Sequence, residues 1–244
     1  MLCRMIVRWR TVREAARGPV ITYALIAGCC VAFVLGPASG LNPSYGTGDR
    51  LTETGTAYFR HWGVVPDDLF SGAGRPLLTP LTALFVHGSW LHLLGNMLFL
   101  YVFGAMTEER MGRAPFLLFY VCTGYLALAA YAAANASSDQ TLVGASGAIS
   151  AVLGAFLCLF PHARVTSLFP FLLFLPLRFP AWIVLLFWFG LQWLAAQRAE
   201  SGPGVAYLAH VVGFSLGFLY AWARYRRTTT VRRPVTAGEG DSQP

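Results

Sequence analysis

Apolar residues along this chain come in long blocks. Behind an N-terminal stretch crowded with arginine, a run over about 19–35 is nearly free of polar side chains, and extended to Ala38 it is long enough to cross a bilayer. Five more blocks follow at about 87–106, 115–134, 142–160, 179–196 and 205–223, each of 18 to 20 residues. As helices rising 1.5 Å per residue they would measure about 27–30 Å, close to the thickness of a hydrocarbon core. Between the first two blocks lies a polar, Gly- and Pro-rich segment, 40–86, which carries Asp49, Glu53, Asp67 and Asp68 and is long for a loop inside a compact domain. Within it, 56–62 and 80–86 predict short interfacial helices, with Tyr58, Phe59, Trp62 and Phe85 at headgroup depth. The apolar run 165–177 is broken by Pro170 and Pro176, and reads as an interfacial or re-entrant approach to the fifth span.

Composition settles the solvent. Hydrophobic residues make up 56% of the chain and charged ones only 12%, with a mean hydropathy of +0.54, whereas soluble domains carry roughly a quarter charged residues. The expected fold class is therefore an all-α membrane protein, a polytopic bundle of six transmembrane helices. A basic arm (1–17) precedes the transmembrane domain (18–223, its first span at 18–38), and a basic tail (224–244) that reads as disordered follows. The five cysteines sit in the arm or in apolar runs and suggest neither disulfides nor metal ligands.

The net charge of +7 acquires meaning from its placement. If both termini share one side, that side holds the five arginines of the arm, Arg110, Arg113, Arg164, Arg178 and the five of the tail, against Arg50, Arg60, Arg75 and Arg198 opposite. By the positive-inside rule both termini are cytoplasmic. The arginines are orientation signals and lipid contacts, and no nucleic-acid partner is expected. Arginine placement fits six spans, or five if the first run is removed, since Ala38-Ser39-Gly40 also resembles a signal-peptidase site.

Several polar side chains lie where a membrane should exclude them. His92 and Asn96 fall near one end of the second span, Ser146 near the same end of the fourth, and His210 about one turn below that end of the sixth. Polar groups at such depth mark function unless they face a protein interior. On the fourth block Gly147, Ser150 or Ala151, and Gly154 recur three and four apart, and on the sixth Gly213 and Gly217 form a Gly-x-x-x-Gly stripe on the face of His210. Two such helices approach closely, as a serine hydroxyl needs in order to reach an imidazole base. His92 and Asn96, four residues apart on one helix face, can supply donors to an oxyanion beside the Ser146 amide.

These residues resemble the rhomboid intramembrane serine proteases of the bacterial six-helix type. The resemblance rests on His87-x4-His92-x3-Asn96, on Gly144-Ala145-Ser146-Gly147 and on Ala209-His210-x2-Gly213-x3-Gly217, with weaker likeness at Arg75-Pro76-Leu77-Leu78-Thr79 and Glu108-Glu109-Arg110-x-Gly112. It implies that Ser146 is the nucleophile and His210 the base of a dyad without a carboxylate. His92 and Asn96 become the oxyanion donors, His87 a support for the preceding loop, and Gly144, Gly147, Gly213 and Gly217 packing or access positions. It also implies a retained first helix, a multi-pass protein of a bacterial plasma membrane, no cofactor, no metal, and substrates that are transmembrane helices of other proteins in the bilayer, cut near the outer end. One departure stands out: where several members have an aromatic residue four after the nucleophile, this chain has Ser150. The histidine ring must then be oriented by Ser150 itself or by another aromatic.

Blander readings stand beside these. A serine or threonine in an apolar helix commonly bonds its own backbone carbonyl, the expectation for Ser150, Ser215 and Thr123 taken alone. His87 is more readily structural than catalytic, and His61 and His162 read as surface residues. Trp182, Trp188 and Trp193 read as interface and lipid anchors. Gly202-Pro203-Gly204 suggests that the loop 197–204 gates access. Two other function classes are a rhomboid-like pseudoprotease, which would lack the serine or the histidine, and a small transporter, which would carry an internal repeat or midplane charges. This sequence has the first pair and shows neither transporter feature.

Overall fold

Glu108 shows how this chain closes on itself. In the computed structural model, which describes residues 18–70, 75–169, 175–198 and 206–225, this residue is 2% exposed and its carboxylate faces the first turn of helix α1 (Val20–Leu35). The amides of Ile21 and Thr22 donate to it at 3.0 and 2.7 Å, and the Thr22 hydroxyl at 2.8 Å. Pro19, at the cap position of α1, makes no side-chain cap bond. A carboxylate from elsewhere therefore satisfies the orphan N–H groups and the positive end of the helix dipole. The buried face of α1 is Thr22, Leu25, Cys29 and Phe33, three and four residues apart.

After α1, the segment expected to hold short interfacial helices contains a longer one, α2 (Gly48–Trp62), and then a helical turn at Thr79–Thr82 that tightens into a 3-10 turn at Ala83–Phe85. Helix α3 (Trp90–Met111) starts under a Ser89 cap, whose hydroxyl accepts from His92 N at 3.2 Å. It passes through a π-helical stretch, Leu100–Gly104, that turns Leu100 and Phe103 into the core. Gly112, at φ +91°, reverses the chain into α4 (Arg113–Ala134). Both α3 and α4 are long and apolar enough to cross a membrane.

The fourth expected span needs correction. Residues 142–145 are not helical: Leu142 pairs with Val64 in an isolated antiparallel bridge, and the helix α5 starts only at Ser146, running to Leu159. Its 14 residues amount to about 21 Å, shorter than a bilayer core. Gly147 to Leu157 are all buried, so α5 is the central helix, wrapped by its neighbours. The run expected as an interfacial or re-entrant segment is instead an antiparallel strand pair, β1 (Arg164–Phe169) with β2 (Leu175–Pro180), Arg164 facing Pro180 in the register. In a two-stranded ribbon every strand is an edge, where proline's missing N–H is tolerated. Helices α6 (Ala181–Arg198) and α7 (Tyr207–Tyr225) complete the fold. The arm 1–17, the tail beyond 225 and most of the loop 197–204 lie outside the described residues.

Helices α5 and α7 touch backbone to backbone. A Cβ added at Gly154 would fall on the Phe214 carbonyl, one at Gly213 on the Gly147 carbonyl, and one at Gly217 on the Ala151 carbonyl. Helix α4 joins the same cluster, where a Cβ at Gly124 would meet Ala148 Cβ at 2.8 Å. Small faces of this kind are how helices pack without a hydrophobic drive between them.

Removing the Glu108 carboxylate should leave the start of α1 uncapped. Glu108→Ala is expected to cost about 2–4 kcal/mol of unfolding free energy in detergent micelles, and Glu108→Gln, which keeps one acceptor, less. Equal unfolding midpoints for parent and Glu108→Ala would refute the capping role.

Candidate active site

Gly144 delivers the chain to Ser146. Its φ of +120° is a conformation that side-chain-bearing residues rarely adopt, and its N–H is held by the Ala83 carbonyl at 2.9 Å. A Cβ there would lie 2.7 Å from His92 Nε2 and 3.7 Å from Asn96 Nδ2. The glycine thus lets the backbone run beneath both α3 side chains just before α5 begins. Ser146 is the first residue of α5, so its N–H belongs to the first turn, where amides have no partner within the helix.

Two cavities meet at this point. One, of about 510 Å³, is lined by Ser146, His92, Asn96 and His210 together with Leu142 and Val143 from the extended segment. The other, of about 360 Å³, shares those four side chains and adds Phe99, Ile149, Leu153, Trp188 and Gln192. The structure therefore brings together Ser146, His210, His92 and Asn96. No hydrogen bond joins Ser146 to His210 among the described residues. The Ser150 hydroxyl donates to the Ser146 carbonyl at 2.7 Å, as Ser215 does to Val211 at 2.8 Å and Thr123 to Phe119 at 2.7 Å.

His210 is held from α6. Its Nδ1 lies 2.8 Å from Gln192 Oε1, and its ring stacks on Trp188 with centroids 6.2 Å apart and planes at 30°. Tyr207 meets it edge-on at 6.3 Å. Ser150 is thus spent on its own helix, while an aromatic residue from a different helix lies along the imidazole. Gln192 is not among the residues that the sequence motifs single out, although an amide within the apolar block 179–196 is a signal of its own.

Asn96 Nδ2 is buried without a hydrogen-bond partner, and so is His87 Nε2. The other nitrogen of His87, Nδ1, donates to the Phe85 carbonyl at 3.3 Å, and its ring contacts that of His92 at 5.1 Å, inclined by 65°. His87 therefore sits behind His92 and outside the cavity lining. Gly147, with Ala127 Cβ at 3.1 Å from its added Cβ, and Gly213 and Gly217, against α5 carbonyls, are packing positions in this geometry. The side chains of Arg75 and Pro76 lie outside the described residues.

The fold and site define a mostly helical, membrane-embedded class of protein whose polar side chains gather around cavities between helices. A family model described as the rhomboid domain matches residues 75–227, and the chain belongs to the rhomboid family. Members of this family are in general intramembrane serine proteases that act on transmembrane substrates, and some are inactive. The chain is 35% identical over 147 residues to Rhomboid protein 1, mitochondrial, of Saccharomyces cerevisiae, covering 57% of this chain and 39% of that one. It is 30% identical over 171 residues to RHOMBOID-like protein 12, mitochondrial, of Arabidopsis thaliana, covering 64% and 48%. It is 43% identical over 75 residues to Rhomboid-like protein 11, chloroplastic, of the same plant, covering 28% and 24%. The matches span less than half the length of each of these relatives. They also overturn the expected location: relatives of mitochondria and chloroplasts suggest an organellar membrane rather than a bacterial plasma membrane. Arginine placement orients a chain relative to its membrane but does not identify that membrane.

Gly144→Ala should force either the backbone or His92 to move. The expected cost is roughly 1–3 kcal/mol, seen as a lowered unfolding midpoint in detergent. A midpoint equal to the parent's would show that the position tolerates a side chain.

Proposed function

We propose that the chain is an intramembrane serine endopeptidase that cuts peptide bonds in or near the ends of transmembrane helices, on the side away from its arginine-rich face. The observation that carries this reading is the sharing of two cavities by Ser146, His210, His92 and Asn96, with the Asn96 amide buried and unpartnered. An unsatisfied buried donor is costly, and a developing oxyanion is a partner that would repay it.

In this mechanism the Ser146 hydroxyl passes its proton to His210 as Oγ bonds to the carbonyl carbon, and the carbonyl π pair moves onto oxygen. Asn96 Nδ2, His92 and the Ser146 N–H stabilise that charge. Collapse breaks the C–N bond, the departing amine takes the proton from His210, and water, activated by the same imidazole, releases the acyl group. The apolar walls of the second cavity suit the body of a substrate helix, and the first suits the unwound strand at its end.

The reading includes six spans within residues 18–223, formed by α1 and α3 to α7, with a basic arm before them and a basic tail after. Retention of α1 is supported by its Glu108 cap and by Ser39, which is packed within the fold: its hydroxyl donates to Gly36 O at 3.0 Å, and its carbonyl accepts from Trp90 Nε1 at 3.2 Å.

The test uses purified protein in detergent or liposomes, scored by fluorophosphonate labelling and by cleavage of a transmembrane substrate. Ser146→Ala and His210→Ala are expected to lose both signals, and Asn96→Ala to lower kcat by about 10²–10³-fold. Cleavage that survives Ser146→Ala would sink the mechanism, and substrate binding without cleavage by the parent would place the chain among the inactive members.

A further inference from the structure

Gln192 is the sole amide or charged side chain between residues 182 and 196. Its Oε1 lies 2.8 Å from His210 Nδ1. A carbonyl oxygen carries no hydrogen, so Nδ1 must donate, and a neutral imidazole with its hydrogen on Nδ1 keeps its lone pair on Nε2. Trp188, one turn earlier on the same face of α6, stacks along the ring. Helix α6 thereby fixes both the plane of the imidazole and which nitrogen is basic.

We propose that Gln192 is the positioning residue for His210, taking the place that a carboxylate occupies in a soluble triad; the proposal rests on the reading of Ser146 and His210 as the reacting pair. Helices α5, α6 and α7 contain no Asp or Glu, so no acid competes for Nδ1 from them. The titratable groups facing His210 are His92 from α3 and Tyr207 on its own helix. When Nε2 takes the Ser146 proton, the imidazolium keeps its Nδ1–H on the Gln192 carbonyl, whose dipole opposes the new positive charge. When Nε2 returns the proton to the leaving amine, the same bond restores the starting tautomer. A neutral acceptor does this without placing an isolated carboxylate in a membrane interior, where desolvation is severe.

The test compares parent, Gln192→Leu and Gln192→Glu as full chains in detergent. Gln192→Leu is expected to lower kcat about 10–100-fold, the effect of one hydrogen bond to a charged group, with KM and the unfolding midpoint unchanged. Gln192→Glu, which in its ionised form can only accept, is expected to recover turnover relative to Gln192→Leu and, where the carboxylate is ionised beside the imidazolium, to move the acid limb of kcat/KM to higher pH. Equal turnover for parent and Gln192→Leu overturns the proposal. Turnover lowered equally in both variants, with the acid limb unmoved, assigns Gln192 to packing and overturns it as well. Imidazole ¹⁵N spectra judge it without turnover: His210 protonated on Nδ1 in the parent and in mixed tautomers in Gln192→Leu supports it, and a parent protonated on Nε2 refutes it. A parent that cleaves nothing yet shows the Nδ1–H tautomer would fail the protease reading while keeping the Gln192 contact.

Discussion

The contact of bare backbone between α5 and α7 is the constraint on which the rest of this structure depends. In a bilayer, lipid tails are as apolar as leucine, so helices gain little by hiding apolar surface from one another and must gain from dispersion at close range. Gly154 against Phe214, Gly213 against Gly147 and Gly217 against Ala151 allow that range. The same stripe carries the first turn of α5 beside the first turn of α7, which is why a serine and a histidine 64 positions apart in sequence line the same two cavities. A short α5 follows from its place: a helix surrounded by others need not span the hydrocarbon, and the residues just before it, 142–145, are left to form the extended segment that meets Val64.

Several hydroxyl groups in the apolar body are satisfied locally. Thr107, Thr123, Ser150 and Ser215 each donate to the carbonyl one turn back. Glu108 accepts three bonds at the start of α1. Buried polar atoms without partners are rare in native folds, and among the described residues they are His87 Nε2, Asn96 Nδ2 and the Tyr120 hydroxyl. Two of these three belong to the His87–His92–Asn96 group over Gly144, a concentration that structural satisfaction alone would have removed. Nothing in the structure explains the Tyr120 hydroxyl.

Helix α1 lies before the segment matched by the family model, which starts at residue 75. It is nevertheless joined to the matched body by the Glu108 cap and by Phe33, which packs edge-on against Trp90 at 4.8 Å. The cap sits at one end of α3 and the Phe33–Trp90 contact at the other, so α1 braces the helix that carries His92 and Asn96.

The sequence by itself determined the solvent, the helical class and the cluster of polar positions, because a low-dielectric surround forbids unpaired polar groups and leaves functional ones conspicuous. Residue spacing alone also gave the small-faced stripes, since an i, i+4 pattern is a local property of a helix. Local patterning could not decide where α5 begins, because a glycine at φ +120° and a bridge to Val64 depend on partners 60 to 80 positions away. Nor could it separate a β-ribbon from a re-entrant segment at 165–177, where apolar content is the same for both. Only the tertiary structure decided how His210 is held: Ser150 closes on its own helix, and the neighbours that fix the imidazole, Gln192 and Trp188, arrive from α6. Side-chain partners across helices are set by packing, and packing is not written in the periodicity of any one of them.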